Sequence, residues 1–153
     1  IAGDGNSVIR TIGVKAADKA LEDVNEVWTQ DEIDDGDAPD GTSANDPKLD
    51  AEGNQIITRG LKYNAIQKVK TQQAGYLAQT DWYIIRKADA GTAIPSNIQT
   101  WRNAIRSDAT AIETAITNAA DMNAFIALHT DTYKEDGTVD VVARVNRWTE
   151  LGT

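Results

Sequence analysis

Residues Tyr76 to Arg106 read YLAQTDWYIIRKADAGTAIPSNIQTWRNAIR and contain the clearest helix-starting and helix-ending signals of the chain. Thr80 is a residue type that begins helices, because its hydroxyl accepts a hydrogen bond from a backbone N–H two or three residues later. Asp81 adds negative charge at the positive end of the helix dipole. Gly91 favours the left-handed conformation that ends a helix, and Pro95 suits the first turn of the next one. The stretch therefore predicts two helices that pack as an antiparallel hairpin.

The strongest periodic signal in the chain follows Pro95, where apolar residues recur in alternating steps of three and four. A shorter stripe precedes Gly91 and contains Trp82, Ile85 and either Ala88 or Asp89. Because Trp82 and Trp101 both lie on such stripes, we expect both indole rings in the core. The stripe after Pro95 comprises Ile98, Trp101, Ile105, Ala109, Ile112, Ile116 and Ala119.

Two further elements are predicted before Tyr76. Gly53 and Asn54 form a turn signal between short segments, which predicts a small hairpin with Ile56 and Ile57 on the returning strand. A helix then follows, since apolar and neutral residues share one helical stripe. That stripe comprises Leu61, Ala65, Val69, Gln73 and Tyr76.

The N-terminal third changes character twice. Val8 to Val14 is β-branched and favours a strand, although it is also compatible with a lead into a helix. Lys15 to Trp28 carries apolar residues at helical spacing and predicts an amphipathic helix. Thr29 to Asp50 is rich in Asp, Gly, Pro and Ser, so we expect a solvated acidic loop or an arm laid along a partner.

At the C-terminal end, Asp121 is a candidate N-cap for a short helix that contains Phe125. Val139 to Val145 alternates apolar and polar residues over most of its length and predicts a terminal strand.

The predicted fold class is mainly α with small β elements (α+β), with an antiparallel helical-hairpin core, a short hairpin and extended N- and C-terminal arms. The predicted divisions are residues 1–50, 51–129 and 130–153.

Composition excludes several classes of function. The chain has 153 residues, of which 41% are hydrophobic, so it is long enough for one principal domain with a core. Its formal net charge of −9 repels phosphate, so we expect neither a nucleic acid nor an anionic membrane as a partner. No run of apolar residues reaches the length of a membrane helix, and the absence of Cys excludes disulfides and thiolate metal sites.

The residues for catalysis or metal binding form no recognisable pattern. When Gly36 is aligned with the central Gly of an EF-hand loop, Ile33 and Thr42 fall on ligand positions that neither residue can fill. His129 is the only His, and no nucleophile elbow, phosphate-binding loop or paired metal ligands accompany it. We expect no catalytic residues, no cofactor and no metal, although an irregular cation site in the acidic loop stays open.

Two sets of residues are candidates for contacts with other proteins. Trp28 and Trp148 lie beside polar or terminal segments, where packing against a neighbouring subunit and packing within the chain are both open. Pairs of basic residues, Arg86 with Lys87 and Arg102 with Arg106, predict a basic helical surface that pairs with the acidic loop of this chain or of another copy. The candidate interface residues are Trp28, Ile33, Trp148 and Leu151.

The segments TDWYIIRKADAG (80–91) and AIPSNIQTWRNAIR (93–106) resemble the core of bacteriophage tail assembly chaperones and tail-fibre-associated virion proteins. The resemblance extends over Ala51 to Leu128 and is best from Gly60 to Arg106. The terminal RWTEL also resembles the Trp-containing tail of some members of the family. It implies a non-enzymatic protein of tail or tail-fibre assembly, with no catalytic residues to carry over. The matching residues are then fold-defining: Thr80, Asp81, Trp82, Arg86, Gly91, Pro95 and, on the following stripe, Trp101.

The resemblance implies a setting and leaves two functions open. The first is a structural component of the particle in the tail, tail fibre or adjoining neck or baseplate, located in the virion and assembled in the host bacterial cytoplasm. Its partners would be other phage structural proteins and further copies of itself. The alternative is a soluble tail assembly chaperone that is absent from the mature virion.

Overall fold

The computed structural model describes residues 20–152, which divide into two compact units at Tyr63 and Asn64. The predicted strand from Val8 to Val14 lies outside the described residues. About 49% of the described chain is helical, and its strands are short and antiparallel, which confirms the mainly α class with small β elements. The helices are α1 (Gln30–Asp34), α2 (Leu61–Ala78), α3 (Asp81–Ala90), α4 (Ser96–Thr117) and α5 (Met122–Leu128). The strands are β1 (Val24–Asn25), β2 (Ile57–Thr58), β3 (Thr132–Tyr133) and β4 (Val139–Val141), and Arg144–Asn146 forms a 3-10 turn.

Three chain segments meet in the described part of the first unit. Glu26 N–H donates to Ile56 O at 2.8 Å, Ile56 N–H donates to Lys48 O at 2.8 Å, and Lys48 N–H donates to Glu26 O at 2.9 Å. These bonds form a closed ring of backbone pairs, and β1 pairs antiparallel with β2 beside it. The predicted helix from Lys15 to Trp28 is therefore wrong over residues 20–28, because this backbone bonds to distant segments instead of to itself.

The acidic segment from Thr29 to Asp50 is folded into the first unit. The prediction that it forms an extended arm is therefore wrong. Thr29 and Glu32 form a reciprocal capping box that begins α1. Further along, Trp28 N–H donates to Asp46 O at 2.9 Å, and Asn45 N–H returns to Trp28 O at 2.9 Å. The two ends of the segment are thus joined by backbone bonds.

The small hairpin predicted at Gly53 is confirmed. Gly53 has φ of 85°, a backbone conformation that glycine adopts without a steric cost, and Leu49 pairs with Gln55 across the turn. Asp50 accepts the Asn54 N–H at 2.8 Å and the Glu52 N–H at 3.0 Å. Since Gln55 and Ile56 bond to residues before Asp50, the predicted division at residue 50 falls inside the first unit.

The core of the second unit lies along one face of α4. Every residue of the predicted stripe after Pro95 is buried, and Ile105, Ile112 and Ile116 are each 0% exposed. Val69 of α2, Phe125 of α5 and Ala143 are also buried. The unbroken apolar stripe after Pro95 predicted which face of α4 is buried.

The end of the chain departs from the predicted terminal strand. β4 stops at Val141, and the Ala143 N–H donates to Asp131 Oδ1 at 2.6 Å before the 3-10 turn begins. The strand predicted up to Val145 is therefore wrong beyond Val141, because a side chain takes the N–H that a longer ladder would use.

The N-cap predicted at Asp121 is confirmed, since its carboxylate accepts the Ala124 N–H at 2.8 Å.

Candidate interaction surfaces

The junction between α2 and α3 is held by a buried arginine. Arg102 Nη1 donates to Leu77 O and to Thr80 Oγ1, both at 2.8 Å, and Arg102 Nη2 lies 2.9 Å from Asp81 Oδ1. Thr80 takes the predicted N-cap position and is only 2% exposed. Its hydroxyl makes no capping bond to the backbone of α3. The prediction of a hydroxyl cap is wrong because Arg102 and Leu77 use that hydroxyl instead.

Arg102 was predicted on a basic surface with Arg106, and that prediction is wrong for Arg102, which is 5% exposed. A signal was present in the sequence, since Arg102 lies between Ile98 and Ile105 at helical spacing and so shares the apolar face of α4. The prediction placed Arg102 on the surface because its side chain is charged. Arg106, one turn later, is exposed as predicted.

The far end of α3 is fixed by Gly91, as predicted. Gly91 is left-handed with φ of 69°, and its N–H donates to Lys87 O at 3.0 Å. Residues 91–95 then connect to α4, whose N-cap is Pro95, one position earlier than the helical turn predicted for it. The connection between α3 and α4 thus begins and ends at residues that the sequence singled out.

Between these fixed ends, α3 presents large apolar side chains to solvent. Ile85 is 68% exposed, Trp82 is 49% exposed, Ile84 is 40% exposed, and no residue of α3 is buried. The prediction that Trp82 belongs to the core is therefore wrong, and Ile85 of the same stripe is exposed as well. Periodicity correctly identified a helix with an apolar stripe, but it carries no information about whether another element covers the stripe.

An aromatic and guanidinium cluster orders part of this helix. The rings of Trp82 and Tyr83 lie 3.7 Å apart between centroids, and the Arg86 guanidinium carbon is 4.7 Å from the first and 5.2 Å from the second. Arg86 Nε is buried and makes no hydrogen bond. Contacts of this type stabilise side-chain positions without removing the indole from solvent. We name the exposed residues Trp82, Ile84 and Ile85 the α3 surface.

Trp101 and Trp148, the other two tryptophans of the second unit, pack within that unit. Trp101 is buried, as predicted, and its indole N–H donates to Thr149 O at 2.9 Å. Trp148 is half-buried, with its ring 5.1 Å from that of Tyr76 and its N–H donated to Val145 O at 3.2 Å. Of the two readings left open for Trp148, the structure therefore shows packing within the chain. Leu151 is 37% exposed.

Trp28 and Ile33, the candidate interface residues of the first unit, are both half-buried. Trp28 lines an open cleft of about 400 Å³ together with Pro39, Pro47 and Leu49. The Lys48 ammonium lies 4.7 Å from the centroid of the Trp28 ring. We name this feature the Trp28 cleft.

Ion pairs and backbone donors lower the pKa values of two carboxyls in this unit. The Lys48 ammonium, 2.5 Å from Glu32 Oε1, together with the Thr29 N–H and hydroxyl, lowers the pKa of Glu32 from 4.5 to about 2. The Gly60 N–H, and then Arg59, lower the pKa of Asp23. Both carboxyls are therefore charged at neutral pH and bonded to other segments of the unit.

His129 takes part in packing at the end of α5. Its Nδ1 lies 2.9 Å from Phe125 O, and the two rings lie 4.6 Å apart. Within residues 20–152, no three His, Asp or Glu side chains are grouped so that they could hold a metal ion. No helix in that range has the length and apolar character needed to cross a membrane.

No protein-family model, curated protein or solved structure matches this chain.

Proposed function

We propose that this protein is a non-enzymatic structural component of a tailed bacteriophage particle, in the tail, a tail fibre or the adjoining neck or baseplate. In this role it acts through contacts with other phage structural proteins and with further copies of itself. The phage setting is supported by the resemblance of residues 80–106 to tail-assembly and tail-fibre-associated proteins. The role in protein contacts is supported by the α3 surface.

The α3 surface is the observation that carries the proposal. A ten-residue helix is only marginally stable alone, and this one adds no buried residue to the core of its unit. Yet Arg102 is bonded to its first residue and Gly91 ends its last turn, so Trp82 and Ile85 lie exposed on a helix with two defined ends. Exposed aromatic and aliphatic side chains grouped on one helix are typical of protein interfaces.

Mass spectrometry of purified, nuclease-treated particles tests this function. We expect the chain at a fixed copy number in each virion. Presence in the lysate of infected cells with absence from mature particles would instead identify a soluble assembly chaperone, which would use the same surface transiently.

A matched pair of variants connects the α3 surface to this role. Ile85→Asp is expected to lower the copy number of the chain in particles, because it places a charge in the middle of the surface. Ile126→Asp, at an apolar residue of α5 that is 40% exposed, serves as the control and is expected to be incorporated normally. Equal incorporation of both variants would remove α3 from the interface.

A further inference from the structure

The described part of the first unit carries nearly all of the excess charge of this protein. Residues 20–63 contain 12 acidic and 3 basic residues, a formal net charge of −9. Residues 64–152 contain 10 acidic and 9 basic residues, a formal net charge of −1. The three basic side chains of residues 20–63 are each paired with a carboxylate of the same unit. The remaining carboxylates create a negative field around this unit.

The same residues expose apolar side chains. No apolar side chain of residues 20–63 is buried, and Leu49, at 53%, is the most exposed of its large hydrophobic residues. A partner that covers this unit must therefore bring apolar surface, and it must also bring positive charge because like charges repel it.

The Trp28 cleft combines both properties at one place. Its apolar wall consists of Trp28, Pro39, Pro47 and Leu49, and Asp40 and Asp46 lie at its edge. Asp46 Oδ2 accepts the Ser43 N–H at 2.7 Å, which fixes that carboxylate, and Asp40 is exposed. An aliphatic stem fits beside proline and leucine while its cationic head remains near the carboxylates.

The indole of Trp28 already has a cation near one ring. Lys48 Nζ is 4.7 Å from the ring centroid while it is also bonded to Glu32. A π-system attracts a cation through its quadrupole, and an arginine guanidinium also stacks on such a ring. Lys48 occupies that position, so the carboxylates of Asp40 and Asp46 are what make the cleft suited to a basic side chain more than to a neutral or acidic one.

We propose that the Trp28 cleft binds an arginine or lysine side chain, flanked by an apolar residue, that is presented by another protein of the assembly. This inference rests on the proposed function in that it names the chemistry of one partner. Its test is separate, because it uses the purified chain and no phage particles.

Titration of the full chain with short peptides, followed by the indole N–H signals in a proton–nitrogen correlation spectrum, tests the cleft. The chain has four Trp residues, so four such signals are expected, and Trp28→Phe identifies the one from Trp28. Acetyl-Leu-Arg-Leu-amide is expected to shift the Trp28 signal with a Kd on the order of 1 mM, since a single exposed cation contributes little affinity. The peptide with citrulline in place of arginine, which keeps the shape without the charge, is expected to bind at least about 3-fold more weakly.

Two aspartate variants locate the charge that matters. Asp40→Asn is expected to raise the Kd for the arginine peptide about 3-fold or more, because it removes a carboxylate of the cleft. Asp37→Asn removes the same charge from the same exposed segment but not from the cleft wall, and it should change the Kd less. The Trp28 signal of each variant without peptide reports whether the first unit is folded, because the other three Trp residues lie in the second unit.

Three results would overturn the proposal. A Trp28 signal that stays fixed up to about 10 mM arginine peptide would show that the cleft does not take this side chain. Equal binding of the citrulline peptide would show that charge is not recognised. Equal weakening by both Asn variants would assign the effect to the general field of the unit. Particle incorporation would be unaffected by any of these results, so the proposed function stands or falls on the mass spectrometry.

Discussion

Arg102 and Asp81 form an ion pair, 2.9 Å between Nη2 and Oδ1, in which the arginine side chain is 6% exposed and the aspartate side chain is 55% exposed. The guanidinium also donates to Leu77 O, a carbonyl near the end of α2. A buried cation needs such partners, since it has lost its water. One side chain of α4 therefore fixes where α2 ends and α3 begins.

Removal of the guanidinium should destabilise the second unit. We expect Arg102→Met to lower the free energy of unfolding by about 2 to 4 kcal/mol, because Leu77 O and the Thr80 hydroxyl lose a charged donor in a buried place. Arg106→Met, one turn later on the exposed side of α4, should cost less than about 0.5 kcal/mol. Urea unfolding followed by helical circular dichroism measures both. Similar costs for the two variants would mean that Arg102 contributes only as surface charge.

Two Gly→Ala substitutions should have opposite signs. At Gly91, with φ of 69°, alanine is strained although its Cβ would meet no atom within 4 Å, so a loss of about 1 kcal/mol is expected. At Gly75, inside α2 and equally open, alanine should add about 0.5 to 1 kcal/mol, since it removes the flexibility of glycine from the unfolded chain. Thermal unfolding gives the comparison directly. Stabilisation by both substitutions would show that Gly91 is not held left-handed in solution.

The core and the α3 surface are distinguished by two isoleucines. Ile105→Ala is expected to lower the free energy of unfolding by about 2 to 5 kcal/mol, because Ile105 is 0% exposed and its loss leaves a cavity. Ile85→Ala should change the free energy of unfolding by less than about 0.5 kcal/mol, because Ile85 is 68% exposed. Chemical denaturation of the purified chain measures both. A large cost at Ile85 would mean that the α3 surface is covered within the protein.

The Glu32 carboxyl should titrate near pH 2 rather than near its ordinary value of 4.5, which carbon NMR of the carboxyl detects. Because its pKa is lowered by folding, Glu32 stabilises the first unit at pH values above 4.5, and this contribution is lost as the pH falls towards 2. Lys48→Met removes the largest cause and should move the pKa up towards 4.5, while the Thr29 bonds still lower it. Lys87→Met, on α3, is the control. An unchanged midpoint in Lys48→Met would contradict the ion pair.

Local signals in the second unit were sufficient to define its helices. Gly91 and Asp121 end and begin helices as predicted, because both act through bonds to their own neighbours in sequence. Each of the seven residues predicted on the long stripe is buried, six of them on α4 and Ala119 just after it. The hairpin at Gly53 was also predicted from its turn residues alone.

Predictions that depended on distant partners were less successful. The segment before Trp28 has helical spacing, yet over residues 20–28 its backbone pairs with residues 17 to 41 positions away. Its acidic continuation has the composition of an unfolded arm, but the Lys48–Glu32 ion pair closes it, and the backbones of Glu26, Trp28 and Ile56 bond it to the rest of the unit. A local window of sequence does not show these pairings.

The helical class, the apolar face of α4 and the residues that begin and end helices are predictable from local sequence, because each depends on periodicity or on bonds between near neighbours. Which apolar faces are covered and which charges are buried follows only from the packing of the folded chain. It buried Arg102 at the junction of α2 and α3, and it left Trp82 and Ile85 in solvent. The physical reason is that burial is a property of two surfaces, and one stripe of side chains does not specify the surface that meets it.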